Sequence, residues 1–283
     1  MGCMIALERQ DNMVDFLLSA LRVAVLVYVG MILVLAGCQR QMIYYPTRVS
    51  EEEAIQLAAT DQLEPWRNED GEIIGWGSTR ALADADVMLV FHGNAGFAGQ
   101  RGYFAHGFAP DFIVYVMEYP GYGTRSGQPG ESTFYDAAED AFQRLRETYP
   151  ERRLFLGGES LGSGVAAYLA GRHPEAVAGV FFSTPFDSMV AVARHHYPFF
   201  PVRWLMRDRY PTAQHLRNFT GPVAILLAGQ DRVVPSKFGE RLAAAYDGPS
   251  RIWMQEDRDH NTLDLSSGRP WWSEVVAFLR DPS

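Results

Sequence analysis

The 283-residue chain is 47% hydrophobic and 13% aromatic, enough apolar material to fill the core of one large domain, which argues against a disordered chain. Its formal net charge of −9 provides no basic stripe to neutralise phosphates, so a nucleic-acid partner is not expected. The longest basic cluster, Arg203, Arg207 and Arg209, is interleaved with Trp204, Leu205 and Met206 and reads as a solvated helix face.

Near the amino terminus an uncharged apolar run extends from Val23 to Gly37. At about fifteen residues it is short for a spanning helix and typical of a signal-peptide core. It ends in Leu35-Ala36-Gly37-Cys38, which resembles the lipobox of bacterial lipoproteins. That resemblance implies lipidation of Cys38 and a mature protein tethered to a membrane, facing the periplasm or the cell exterior. A second reading joins Phe16 to Gly37 into one retained anchor helix of roughly 22 residues, with Arg22 inside it and no lipid. If translation starts at Met13, the segment looks more like an ordinary signal. Residues 1–38 are accordingly set apart from a body of residues 39–283. Cys3 and Cys38 both precede that body, which leaves it no thiol for a disulfide, a nucleophile or a metal site.

Beyond a Glu-rich connector at Glu51 to Glu53, apolar runs alternate with helix-like stretches, the pattern of βαβ units on a mostly parallel sheet. Strands are expected at Val87 to Phe91, Phe112 to Met117, Leu154 to Gly157, Val177 to Phe182, Val223 to Ala228 and Arg251 to Gln255. The first five are nearly continuous apolar runs, as required where helices cover both sheet faces. Helices are expected at Ser132 to Thr148, Leu161 to Arg172, Ser236 to Tyr246 and Pro270 to Arg280. The first of these has Phe134, Ala138, Ala141, Phe142 and Leu145 on one face. Edge strands are expected near Ile43 to Tyr45, Leu63 to Arg67 and Glu72 to Ser78.

The strongest local signal is Gly158-Glu159-Ser160-Leu161-Gly162, placed between an apolar strand and an Ala-rich helix. A nucleophile elbow needs that context: a sharp turn with strained backbone at the serine, flanked by residues without side chains to collide. The turn exposes the Ser160 hydroxyl, and the Leu161 N–H becomes one oxyanion donor at the helix start. Serine needs an adjacent base. Of seven histidines, His260 alone comes late in the chain, in a polar loop after the last strand, where the order Ser, Asp, His puts a base at the sheet's carboxyl edge. Asp231, in Gly229-Gln230-Asp231-Arg232, is the preferred acid to orient that imidazole, and Asp187 is the alternative. The second oxyanion donor is assigned to the Asn94 N–H of His92-Gly93-Asn94-Ala95-Gly96, with Ala95 as the fallback. His92 is assigned a structural part, bonding backbone behind the hole.

Read together, Phe91 to Gly96, Glu118 to Gly123, Gly158 to Gly162, Thr184 to Ser188, Gly229 to Pro235 and Asp259 to Asn261 resemble the α/β-hydrolase family, and within it the Bem46-like members related to the mammalian ABHD13 group. The resemblance spans roughly Tyr44 to Leu279. It implies the α/β-hydrolase fold, a triad of Ser160, Asp231 and His260, no cofactor, and an acyl-enzyme route on an ester, thioester or amide of a small-molecule or lipid acyl substrate. One departure is Glu118-Tyr119-Pro120, where many relatives carry an aspartate and an arginine. The aromatic, Pro-rich stretch 186–219 stands where the fold often carries a cap, and as such would supply an apolar acyl-binding wall. Its His195-His196 pair has no third ligand at metal-site spacing. Acyl transfer to an acceptor other than water, or a scaffold that kept the fold and lost the chemistry, are the alternatives to hydrolysis.

Overall fold

The computed structural model describes residues 2–79 and 81–282. Met1 lies outside the described residues, as do the side chains of 2–12 and 14, Cys3 among them. Helix α1, Gly2–Ile43, passes through Leu35-Ala36-Gly37-Cys38 without a break, because nothing in that stretch stops a helix. Its Asp15–Ile43 portion has 29 residues and is strongly apolar, so by length and composition it can cross a membrane. The short run read from the sequence is thus the centre of a longer apolar helix. The expected strand at Ile43 to Tyr45 shrinks to Tyr45–Pro46, which pairs in parallel with Ala95–Gly96.

The stretch read as a Glu-rich connector is the start of helix α2, Glu51–Thr60. The Ser50 hydroxyl accepts the Glu53 N–H at 3.2 Å and three glutamates occupy the positive end of the helix. Its buried face is only Ala54 and Ala58, too small a pattern to stand out. Strands β1, Leu63–Arg67, and β2, Ile73–Ser78, form an antiparallel pair. There follow β3, Asp86–Phe91; α3, Gly102–Phe108; β4, Phe112–Met117; α4, Glu131–Thr148; β5, Leu154–Glu159; α5, Leu161–Arg172; and β6, Val177–Ser183. Three short helices, α6 (Met189–His196), α7 (Val202–Leu205) and α8 (Thr212–His215), make up the 186–219 excursion. The chain closes with β7, Val223–Ala228; α9, Lys237–Ala244; β8, Ser250–Gln255; and α10, Pro270–Arg280.

The eight strands lie in the order β8-β7-β6-β5-β3-β4-β2-β1, parallel from β8 to β4 and antiparallel at β2 and β1. This is the α/β-hydrolase fold. Two apolar cores flank the sheet, and single strands feed both. In β3, Val87, Leu89 and Phe91 point into one core while Met88 and Val90 point into the other. That two-residue alternation explains why the strand reads as an unbroken apolar run. The core that also holds Leu161 and Val165 of α5 takes Phe134, Ala138, Ala141, Phe142 and Leu145 from α4, the face marked by helical spacing. The opposite core is closed by α10, whose Trp272 ring packs against Phe104, Phe108 and Phe181.

Candidate active site

Strand β5 ends at Glu159 and α5 begins at Leu161, so Ser160 alone makes the turn, at φ 49° and ψ −111°. A non-glycine residue adopts that backbone only when its surroundings impose it. Here the Ser160 N–H donates to the Ser183 carbonyl on β6 at 2.8 Å, and the Ser163 hydroxyl donates to the Ser160 carbonyl at 2.6 Å. The hydroxyl is left facing the open edge of the sheet.

The loops after β7 and β8 bring the other two residues to the same edge. His260 Nε2 lies 3.1 Å from Ser160 Oγ, and His260 Nδ1 lies 2.6 Å from Asp231 Oδ2. Asp231 is held by the Val233 and Val234 N–H groups, which donate to its Oδ1 at 2.8 and 2.7 Å, and its side chain is fully buried. The carboxylate therefore accepts Nδ1–H, which leaves Nε2 free to accept the Ser160 proton. Asp187 is elsewhere: it pairs with Arg241 of α9.

Asn94 is clamped beside Ser160. Its carbonyl accepts the Tyr45 N–H at 3.0 Å and the Tyr122 hydroxyl at 2.9 Å, while its amide Nδ2 donates to the Ile43 carbonyl at 2.9 Å. None of these bonds uses the Asn94 N–H. The Leu161 N–H is a first-turn donor of α5, where the helix offers no internal acceptor. His92 is fully buried behind this loop, with Nδ1 2.7 Å from the Gly93 carbonyl and Nε2 3.4 Å from Glu118. The unusual Glu118 accepts the Ala98 N–H and Tyr119 donates to the His92 carbonyl at 2.9 Å, so the departure at 118–120 is built into the support of the loop.

Residues 86–215 match the α/β-hydrolase fold family. An uncharacterized protein of Mycobacterium tuberculosis is 30% identical over 93% of this chain and 95% of its own length. Alpha/beta hydrolase domain-containing protein 17C of Xenopus laevis is 30% identical over 71% of this chain and 64% of its own, and protein 17B of Homo sapiens is 28% identical over 76% and 72%. The chain has the α/β-hydrolase fold, and over residues 86–215 it matches that family. Among solved structures, the monoacylglycerol lipase of Paleococcus ferrophilus superposes with a TM-score of 0.56 at 18% identity, covering 74% of this chain and 99% of that one. An esterase of Pyrococcus furiosus gives 0.58 at 14% identity over 84% and 97%. These two likenesses concern the fold.

Two cavities of this hydrolase-fold chain meet at Ser160. One, of about 580 Å³, is apolar, floored by Ser160 and Leu161 and walled by the cap through Met189, Val192, Phe200 and Met206. The other, of about 350 Å³, is the more polar of the two and runs past His260, Asn261, Thr184, Arg101 and Glu159, with Leu263 and Leu265 beside them. Both have the size of ligand pockets. Within the cap, His195 Nδ1 faces Lys237 at 3.2 Å and His196 Nε2 the Val233 carbonyl at 2.9 Å, so both rings have other partners.

Glu159 is the residue that reading the motif overlooked, because the second position of G-x-S-x-G tolerates many types. Its carboxylate accepts the Gly93 N–H at 3.0 Å, the Arg101 guanidinium at 3.1 Å and the Tyr103 hydroxyl at 2.7 Å. It thereby ties the elbow to the 92–96 loop. Burial would raise this carboxyl, but Arg101, Tyr103 and the Gly93 N–H outweigh it and hold it below the usual carboxylate range.

Proposed function

We propose that the protein is a serine hydrolase that cleaves a carboxylic ester through an acyl-enzyme on Ser160. The observation that carries this reading is the bonded series Asp231–His260–Ser160, at 2.6 and 3.1 Å, on a strained elbow between an apolar and a more polar cavity. The acyl chain lies in the apolar cavity and the leaving alcohol in the more polar one. His260 Nε2 takes the Ser160 proton as Oγ attacks the carbonyl carbon, and the imidazolium is held by Asp231. The Leu161 and Asn94 N–H groups face the negative charge that develops on the carbonyl oxygen. Collapse breaks the ester C–O bond, and His260 returns the proton to the departing alcohol. Water then attacks the acyl-enzyme, giving its proton to His260, and the free acid leaves as Ser160 is reprotonated.

The esterase and lipase among the structural neighbours are compatible with ester chemistry, and the Bem46-like assignment rests on the six motifs. Helix α1 is read as the membrane tether. Its contacts with the cap favour an uncleaved anchor over a lipidated Cys38, since cleavage before Cys38 removes Tyr28 and its bond to the Phe199 carbonyl at 2.8 Å.

A fluorophosphonate probe should label the wild-type protein and fail to label Ser160→Ala, with loss of p-nitrophenyl ester hydrolysis by about 10⁴-fold or more. Equal labelling of both proteins contradicts the reading and leaves the scaffold alternative.

A further inference from the structure

The apolar cavity above Ser160 has a wall that does not come from the hydrolase body. Leu35, Gln39, Met42 and Ile43 of α1 line it. The first three stand at i, i+4 and i+7, one face of the helix. That face is fastened to the cap over about three turns. The Tyr28 hydroxyl donates to the Phe199 carbonyl at 2.8 Å and its ring stacks on Phe200 at 5.8 Å. Lower down, Gln39 donates to the Leu205 carbonyl at 3.2 Å and accepts the Arg207 N–H at 2.8 Å, while Arg40 pairs with Asp208 at 3.0 Å.

The same helix is the membrane-length element. Its 29-residue apolar portion, Asp15–Ile43, is about 43 Å long at 1.5 Å per residue, against a hydrocarbon layer of about 30 Å. The cavity residues sit at its carboxyl end, beside Gln39 and Arg40, where a spanning helix leaves the lipid. The neighbouring cap surface has the composition of a bilayer interface: Phe199 and Trp204 are each 84% exposed, and the exposed Arg203 and Arg207 flank Trp204 in the chain. Exposed aromatics of this size are costly in water and favourable at headgroup level.

We infer that the acyl pocket opens at the bilayer surface with the anchor helix as one wall, and that its substrate is a long-chain acyl ester resident in the membrane. This rests on the serine-hydrolase reading and adds the source and length of the chain. An acyl tail reaches Ser160 along the apolar face between α1 and the cap without crossing water, whereas a short ester makes no use of that wall.

The test uses the full chain in phosphatidylcholine vesicles and compares p-nitrophenyl palmitate with p-nitrophenyl butyrate. Leu35→Trp and Met42→Trp put bulk into the cavity from the helix side, and Leu33→Trp, on the exposed side of α1, is the control. The palmitate-to-butyrate ratio of kcat/KM is expected to fall about tenfold in the first two and to hold in the third. Fluorophosphonate labelling of each variant reports that its elbow is folded. Replacing both Phe199 and Trp204 by Asp should lower turnover of vesicle-borne palmitate while sparing soluble butyrate. An unchanged ratio in labelled Leu35→Trp and Met42→Trp overturns the wall, and an equal fall in Leu33→Trp does the same. Absence of labelling in the wild type instead overturns the serine-hydrolase reading beneath it.

Discussion

Ser160 sits at backbone angles that most residues avoid, and the glycines two positions to either side make that geometry reachable. A Cβ on Gly162 would run into the Phe91 carbonyl oxygen, and one on Gly158 would lie 2.6 Å from Ser163 Cα. Both obstacles are backbone, with nothing soft to yield. Gly162→Ala is therefore expected to lower stability by about 3 kcal/mol, read as a shifted urea midpoint. A midpoint equal to wild type contradicts it. Glu159 makes a different prediction because its carboxyl is held low in the fold. A depressed acid adds stability that is fully present above its unfolded pKa and is lost as pH falls through the folded value. Glu159→Gln should thus melt well below wild type at pH ~7, with the gap narrowing as pH drops below ~4. A gap that stays constant with pH would mean the carboxylate charge is not what ties the elbow to the 92–96 loop.

Elements were legible in proportion to how much apolar pattern they carry. Strands β3, β4 and β7 feed two cores at once, so their runs are continuous and their bounds nearly match those read from the sequence. Helix α2 escaped notice because only Ala54 and Ala58 are buried on it. Helix α9 came out shorter than Ser236 to Tyr246, at Lys237–Ala244, with Ser236 and Ala245 as its caps, while Tyr246 just past it still packs into the core. Helix α10 shows what one aromatic can do for an element: Trp272 is 3% exposed and stacks or edges against four rings, including Trp271. Trp272→Ala should cost about 4 kcal/mol, because the β-sheet beneath cannot collapse into the space left. Thermal unfolding reads this, and a loss under about 1 kcal/mol would mean that α10 repacks.

On the scale of the whole molecule, α1 was set apart as a targeting segment, yet it reaches the cap, Asn94 through Ile43, and the cavity over Ser160. If it is a retained anchor, mass spectrometry of the membrane-bound protein should recover peptides from the Tyr28 to Cys38 stretch. A mature amino terminus at an acylated Cys38 would contradict that. The local chemistry was written in the chain: strand, G-x-S-x-G and helix specify an elbow through steric limits on neighbouring residues, and apolar runs specify buried strands through the pleat. Pairings across long separations were not. His260 and Ser160 are a hundred positions apart; chain order singled out His260 and the Gly229-Gln230-Asp231 loop favoured Asp231 over Asp187, but the distances among them and the Arg241 partner that Asp187 takes instead come only from the fold. The wall that α1 gives the pocket likewise has no local signature, because apolar residues facing a cavity and apolar residues facing lipid read alike until the tertiary structure shows which face the cap covers.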